Sequence, residues 1–122
     1  MAHILIMEDD DQFRRVLRVM LETSGYQVTD AADGEAGLSL YRKAPTDLII
    51  VDIFMPWKEG LETIIELKED FPDVKIIAIS GGGRGGHLKY LDRARFFGAQ
   101  KSLDKPFKKK EMLEAVGELL EG

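Results

Sequence analysis

Four apolar runs in this chain end in polar residues whose chemistries complement one another. Leu48-Ile49-Ile50-Val51 runs into Asp52, Ile4-Leu5-Ile6-Met7 into Glu8-Asp9, Val74 to Ile79 into Ser80, and the short run near Leu103 into Lys105-Pro106. If the runs are parallel strands, the four ends meet at one side of a sheet, where ligands bind in doubly wound folds. Three carboxylates in one cleft repel. Either one of them is protonated, or the group holds a hard divalent cation through oxygen ligands. Magnesium suits a site of a few carboxylates that leaves positions for water and phosphate oxygens. Lys105 adds a point charge for a phosphoryl oxygen, and the Ser80 hydroxyl a donor for another. A carboxylate nucleophile, a cation, a lysine and a hydroxyl are the parts needed to receive a phosphoryl group, with Asp52 becoming an acyl phosphate.

The elements that must position these groups are legible in the hydrophobic pattern. Short apolar strands alternate with segments of helical periodicity, as in a parallel sheet covered on both faces. The strands read as Ile4 to Met7, Gln27 to Ala31, Leu48 to Val51, Val74 to Ile79 and Gln100 to Leu103. Phe13, Val16, Leu17, Met20 and Leu21 make one helix face, and Leu61, Ile64, Ile65 and Leu67 another. Met112, Leu113, Val116, Leu119 and Leu120 make a last one. Gly25 and Gly98 fall where helices should stop, and Asp33 is placed to cap the helix that begins Gly34-Glu35-Ala36. Asp10 and Asp11 read as acids at a helix N-terminus, where the dipole favours them by about 0.3 to 1 kcal/mol each. Gly81-Gly82-Gly83-Arg84-Gly85-Gly86 is expected to be mobile.

Composition narrows the function classes. The 122 residues fit one domain, residues 1–122, with 44% hydrophobic and 32% charged residues as in a soluble globular protein. No apolar stretch approaches the roughly 20 residues that span a bilayer, and the apolar run after His3 is too short for a signal peptide, so no membrane role is expected. With no cysteine there is no disulfide framework or thiolate site, and a reducing cytoplasm is the expected location. A net charge of -5 and a pI near 5.1 argue against direct, sequence-independent nucleic acid binding.

The segments ILIMEDDD, DLIIVDIFMP, IIAISGG and LDKPF, in that order and spacing, resemble the receiver domain of bacterial two-component response regulators, of the chemotaxis-regulator type. The resemblance covers essentially the whole chain, including Asp33-Gly34-Glu35-Ala36, Glu59-Gly60-Leu61 and Phe97-Gly98-Ala99. It implies a single doubly wound five-stranded parallel α/β sheet of flavodoxin-like order 2-1-3-4-5. It also implies a phosphoacceptor, not an enzyme acting on a separate substrate, that takes a phosphoryl group from a histidine kinase or phosphotransfer protein. By the same resemblance Asp52 is the phosphoacceptor, and Glu8 and Asp9 hold magnesium with Asp52 and the Phe54 backbone carbonyl. Ser80 is the switch hydroxyl, Lys105 pairs with the phosphoryl group, and the Lys105–Pro106 bond is cis. With no DNA-binding or catalytic segment after the last helix, the output is expected to be a changed surface for a downstream target protein, unless the sequence is a piece of a longer regulator.

Two positions depart from the family pattern. Ser102 stands where an aromatic is common, three residues before the lysine, so coupling through a rotating buried ring is not expected. Gly81, not alanine, follows the switch hydroxyl. A moving Ser80 would pull on the glycine run, whose ordering opposes the switch by about 1 kcal/mol per residue fixed. A rival reading is a small dinucleotide-binding domain, since Gly81, Gly83 and Gly86 fit GxGxxG with Asp104 at the distance of a ribose-binding acid. That fingerprint belongs on the first βα turn of a larger domain, and it leaves Glu8, Asp9, Asp52 and Lys105 unexplained. A haloacid-dehalogenase-like phosphatase needs a second aspartate where Phe54 stands, and a Walker loop needs a lysine where His87 stands. Lys108, Lys109 and Lys110 with Lys101 and Arg95 read as a solvated face before an acidic-partner dock. His3 and His87 receive no role, and Trp57 reads as a loop reporter near the site.

Overall fold

A computed structural model describes residues 2–54, 60–81 and 93–121. The Met55-Pro56 turn, Trp57, the glycines after Gly81 and His87 lie outside the described residues. Five strands form one sheet: β1 (His3–Met7), β2 (Gln27–Ala31), β3 (Leu48–Asp52), β4 (Ile76–Gly81) and β5 (Lys101–Lys105). Their order is β2-β1-β3-β4-β5 and every pairing is parallel, as the sequence led one to expect. The register sets Met7 opposite Val51, Asp52 opposite Ile79, and Gly81 opposite Lys105, so the strand ends line up at one edge.

Helices α1 (Asp11–Thr23), α2 (Gly34–Lys43), α3 (Gly60–Asp70) and α4 (Lys109–Glu121) cover the sheet. A further helical turn spans residues 93–96. Strand alternation explains the two cores. Leu5, Met7, Ile49, Val51 and Ile76 point to the side of Leu38, Ile64 and Leu67, while Ile4, Ile6, Leu48, Ile50 and Ile77 point to that of Leu17, Leu21 and Met112. Central strands buried on both faces must be apolar at every position, which is why these runs do not alternate with polar residues.

The expected helix starts and stops are present. Asp33 Oδ1 accepts from the Ala36 N–H at 2.8 Å, and Asp10 Oδ1 from the N–H groups of Gln12 and Phe13, both at 3.0 Å. Glu111 reaches back to the Lys108 N–H at 3.0 Å, the return half of a capping box. Gly25 and Gly98 have φ of 97° and 126°, the left-handed region that ends a helix with little cost only at glycine.

Two strand boundaries and one helix-face residue differ from the sequence reading. β4 begins at Ile76, because the Val74 carbonyl and Ile76 N–H are taken by the Gln100 side chain, at 3.2 and 2.8 Å. β5 continues through Asp104 to Lys105, with partly exposed residues at an edge where one face is open. Val16 is 56% exposed and does not belong to the buried face of α1, whose buried residues are Leu17 and Leu21.

Candidate functional site

The alternation that builds the second core also places the charges. Glu8 continues the series Ile4, Ile6 on β1, Asp52 the series Leu48, Ile50 on β3, and Lys105 the step from Leu103 on β5. All three side chains therefore rise from one face, under the start of α1. Of the three carboxylates expected in one cleft, two lie buried, Glu8 at 0% and Asp52 at 4% exposure, and Asp9 is exposed. Lys105 Nζ donates to Glu8 Oε1 in a short contact and lies 3.4 Å from Asp52 Oδ2. Burying ions costs several kcal/mol each after relaxation, and only mutual attraction with good hydrogen bonding offsets it.

The remaining lone pairs are served by the backbone. Asp52 Oδ1 accepts from the Phe54 N–H at 3.0 Å, and Glu8 Oε2 from the Asp10 N–H at 3.1 Å. Arg14 Nη1 donates to the Glu8 carbonyl at 2.8 Å, fixing the turn that leads into α1. Gly60, the first residue of α3, abuts the back of the site. A Cβ there would overlap the Asp52 carbonyl oxygen and Ile53 Cα, so only glycine lets α3 approach this closely.

Glu8, Asp9 and Asp52 each offer an oxygen, and these oxygens lie within 4.8 Å of one another. Burial raises the Glu8 pKa above its ordinary value, the Asp52 hydrogen bond and charge raise it further, and Lys105 only partly opposes them. Asp9 is raised too, by desolvation and then by Glu8. Burial pulls Lys105 down, but Glu8 and Asp52 outweigh it and hold the ammonium above the usual lysine value. One ammonium thus leaves the acids short of positive charge, and three hard oxygen donors at this spacing suit a divalent cation such as magnesium.

Of the residues singled out in sequence, the structure brings Glu8, Asp9, Asp52 and Lys105 together and seats Phe54 beside them through its N–H. It does not bring Ser80 into their hydrogen bonds. The Ser80 hydroxyl is 0% exposed at the end of β4 and has no hydrogen-bond partner among the described residues. A buried hydroxyl without a partner costs about 1 to 3 kcal/mol, so it is poised to bond any oxygen that arrives nearby. The Lys105–Pro106 peptide is cis. Asp10 and Asp11 stand at the N-terminus of α1 as read, and Asp10 is in addition its N-cap. His3 Nε2 is 2.6 Å from Thr29 Oγ1, and Lys101 pairs with Glu118 at 2.5 Å on the solvated face.

The sequence reading placed Phe13 only in a helix face. In the structure Lys105 Nζ also stands 4.2 Å from the centroid of its ring. The signal available in the sequence was position: three residues after the N-cap, Phe13 lies in the first turn and so directly at the strand ends. No helix among the described residues is long and apolar enough to cross a membrane.

Comparison with known proteins agrees with this architecture. A family model for the response regulator receiver domain matches residues 4–117. The probable C4-dicarboxylate response regulator DctR of Halalkalibacterium halodurans is 36% identical over 109 residues, 88% of this chain but 46% of that protein. The response regulator receiver protein CpdR of Brucella abortus is 32% identical over 120 residues, 98% of each. The chain therefore spans about half the length of the first relative and nearly all of the second. The crystal structure of a putative response regulator from Chloroflexus aurantiacus superposes with a TM-score of 0.92 at 26% identity, covering 99% of this chain and 98% of that one. These likenesses do not favour a dinucleotide reading of the glycine run, and with the sheet order and the acidic cleft they place the chain in the receiver domain family of two-component response regulators.

Proposed function

We propose that this chain, as one receiver domain over residues 1–122, accepts a phosphoryl group on Asp52 from a histidine kinase or phosphotransfer protein. The observation that carries the reading is the Lys105 ammonium held between the two buried carboxylates of Glu8 and Asp52, with Asp9 completing an acidic trio. A free Asp52 oxygen attacks phosphorus, the bond from phosphorus to the donor nitrogen breaks, and its electron pair returns to the donor's imidazole. The product is an acyl phosphate.

Glu8, Asp9 and Asp52, with the Phe54 carbonyl, would hold magnesium. Once bound, the ion supplies charge for the phosphoryl oxygens, where catalysis is mostly positioning and electrostatics. The chain's own residues do the rest. The Phe54 N–H fixes one Asp52 oxygen, which leaves the other, on the Lys105 side, to attack. Lys105 neutralises a phosphoryl oxygen, and Ser80 gives another its buried hydroxyl, which has no partner among the described residues. The movement of Ser80 is the change read by a downstream protein in the cytoplasm. The domain assists its own phosphorylation and dephosphorylation and is not an enzyme for a separate substrate.

Incubation with magnesium and a small-molecule phosphodonor, followed by intact mass and a test of acid and base lability, examines this reading. One added phosphoryl group, lost in base and absent without magnesium, is expected. A stable adduct, or a mass unchanged, refutes it.

A further inference from the structure

Lys105 has a third contact besides its two carboxylates, and it is not an ionic one. Its Nζ sits over the face of Phe13, 4.2 Å from the ring centroid, inside the range of about 6 Å at which the ring quadrupole attracts a cation. Phe13 is itself held at its backbone and at its ring. The Phe13 N–H donates to the Asp10 cap at 3.0 Å, and the ring meets Phe107 edge to face at 5.7 Å and 87°. Phe107 follows Lys105 by two residues across the cis-proline, so one short segment delivers both the ammonium and the brace for its platform. Both aromatic rings pack onto the second core.

We propose that Phe13 is a positioning residue for phosphoryl transfer: its ring face keeps the Lys105 ammonium over the cleft when the carboxylates turn to a cation. This rests on the reading of Asp52 as phosphoacceptor. Glu8 and Asp52 are at once the partners of Lys105 and two of the three groups able to hold the metal, so the two cations compete for the same oxygens. A lysine is a strongly hydrated charge on a flexible four-carbon stem, and without another anchor it would swing to water as its anions are taken. A ring offers no lone pair for a hard metal ion, so it anchors the ammonium without joining that competition. The incoming phosphoryl group then meets a positive charge already in place, which is where positional catalysis gains its rate.

The test uses the full chain with Phe13→Leu, which keeps apolar bulk and loses the π face, and Phe13→Tyr, which keeps the face. In the wild type and Phe13→Tyr, the Lys105 ε-methylene protons should show an upfield ring-current shift by NMR, with and without magnesium. Phe13→Leu should lose it. At saturating magnesium, Phe13→Leu should slow labelling of Asp52 by about threefold to thirtyfold, the factor that a cation–π contact is worth. Its magnesium affinity should stay within about twofold of the wild type, and Phe13→Tyr should label at nearly the wild-type rate. The proposal is overturned if magnesium abolishes the shift in the wild type, if Phe13→Leu labels at the wild-type rate, or if Phe13→Tyr is as slow as Phe13→Leu. If the wild type takes up no phosphoryl group while the shift is present, the assignment of the site has failed, not the contact between ring and ammonium.

Discussion

The two ends of the sheet treat their polar groups in opposite ways. At the end where the strands begin, side chains are bonded to backbone. Gln100 bridges the Ile76 N–H and the Val74 carbonyl, Lys68 donates to the same carbonyl at 2.8 Å, Lys75 to the Leu119 carbonyl at 2.7 Å, and Asp47 accepts from the His3 N–H at 2.8 Å. These contacts satisfy strand and helix ends that would otherwise be orphaned. At the other end Glu8 and Asp52 each accept one backbone N–H, from Asp10 and Phe54, but spend their other oxygen on the Lys105 ammonium, and Ser80 bonds to nothing described. Polar groups that complete the backbone are structural. The carboxylate oxygens that face only the Lys105 ammonium are available for exchange with a ligand, and that contrast separates the candidate site from the scaffold.

Breaking the exchangeable end should have the largest effect. Asp52→Asn removes the nucleophilic oxygen while nearly keeping the volume, so labelling should be abolished. The fold should survive, because one of two crowded carboxylates has become neutral. Undiminished label in that variant, read by intact mass, would disprove the assignment. Lys105→Met comes next. It leaves Glu8 and Asp52 facing each other without a counter-charge, and should destabilise the metal-free protein at neutral pH by about 1 to 3 kcal/mol. Labelling should fall by roughly a hundredfold, the range seen when one preorganised charge donor is removed. Because the ammonium no longer competes for its oxygens, magnesium should narrow the stability gap. Urea melts with and without magnesium measure this, and a gap that magnesium leaves unchanged counts against shared ligation.

The contrast sharpens with pH. The Glu8 and Asp9 carboxyls are raised in the fold, by burial first and by neighbouring acids second. A raised folded-state pKa means that the native state holds protons more tightly than the unfolded chain. Their contribution to stability is complete below the ordinary carboxyl range and is lost as pH rises through the raised values. The metal-free protein should therefore lose stability from mildly acid to neutral pH, by about 1.4 kcal/mol for each unit of Glu8 shift. Asp9 is exposed and adds less. Glu8→Gln should flatten this slope, and saturating magnesium should do the same in the wild type, because ligation removes the repulsion. A slope equally steep in Glu8→Gln would place its cause elsewhere.

Much of this was legible in the chain. The apolar runs gave the strands because a parallel sheet buried on both faces leaves no choice of residue, and the cap at Asp33 gave a helix start because its oxygen satisfies a specific N–H group. Glu8, Asp9, Asp52 and Lys105 could be grouped because each ends a strand, and parallel strands share an end. What stayed hidden depends on side chains meeting across elements. Val16 looked like core by periodicity, yet α1 turns Phe13, Leu17, Met20 and Leu21 onto the sheet and leaves Val16 exposed. The depth at which Glu8 is buried, and the ring beneath the Lys105 ammonium, follow from the approach of α1 to β5, two elements far apart in sequence. No local pattern encodes that approach. Nor could sequence say that Gln100 would take the place of a ladder partner and delay β4, because a glutamine at a strand start usually faces water.

That glutamine supplies the smallest effect on chemistry. Gln100→Ala removes the acceptor of the Ile76 N–H and one of two donors to the Val74 carbonyl, which keeps its bond from Lys68. Ile76 is fully buried, so its orphaned N–H should cost about 1 to 3 kcal/mol of stability. Gln100 opens the segment into β5, at the end opposite Lys105, and makes no contact with the acidic cleft. The strand ends that carry Asp52 and Lys105 are held by the remaining ladder bonds, the Ile53 N–H to Ile79 carbonyl bond of 3.0 Å among them. Labelling of Asp52 at a temperature where the variant is folded should therefore match the wild type within about twofold, as expected for distant and independent sites. A melt shifted down with an unchanged rate sharpens the division between the two ends. A slowed rate in a fully folded variant would show that the scaffold end and the exchangeable end are coupled through β5, and the contrast drawn between them would not hold.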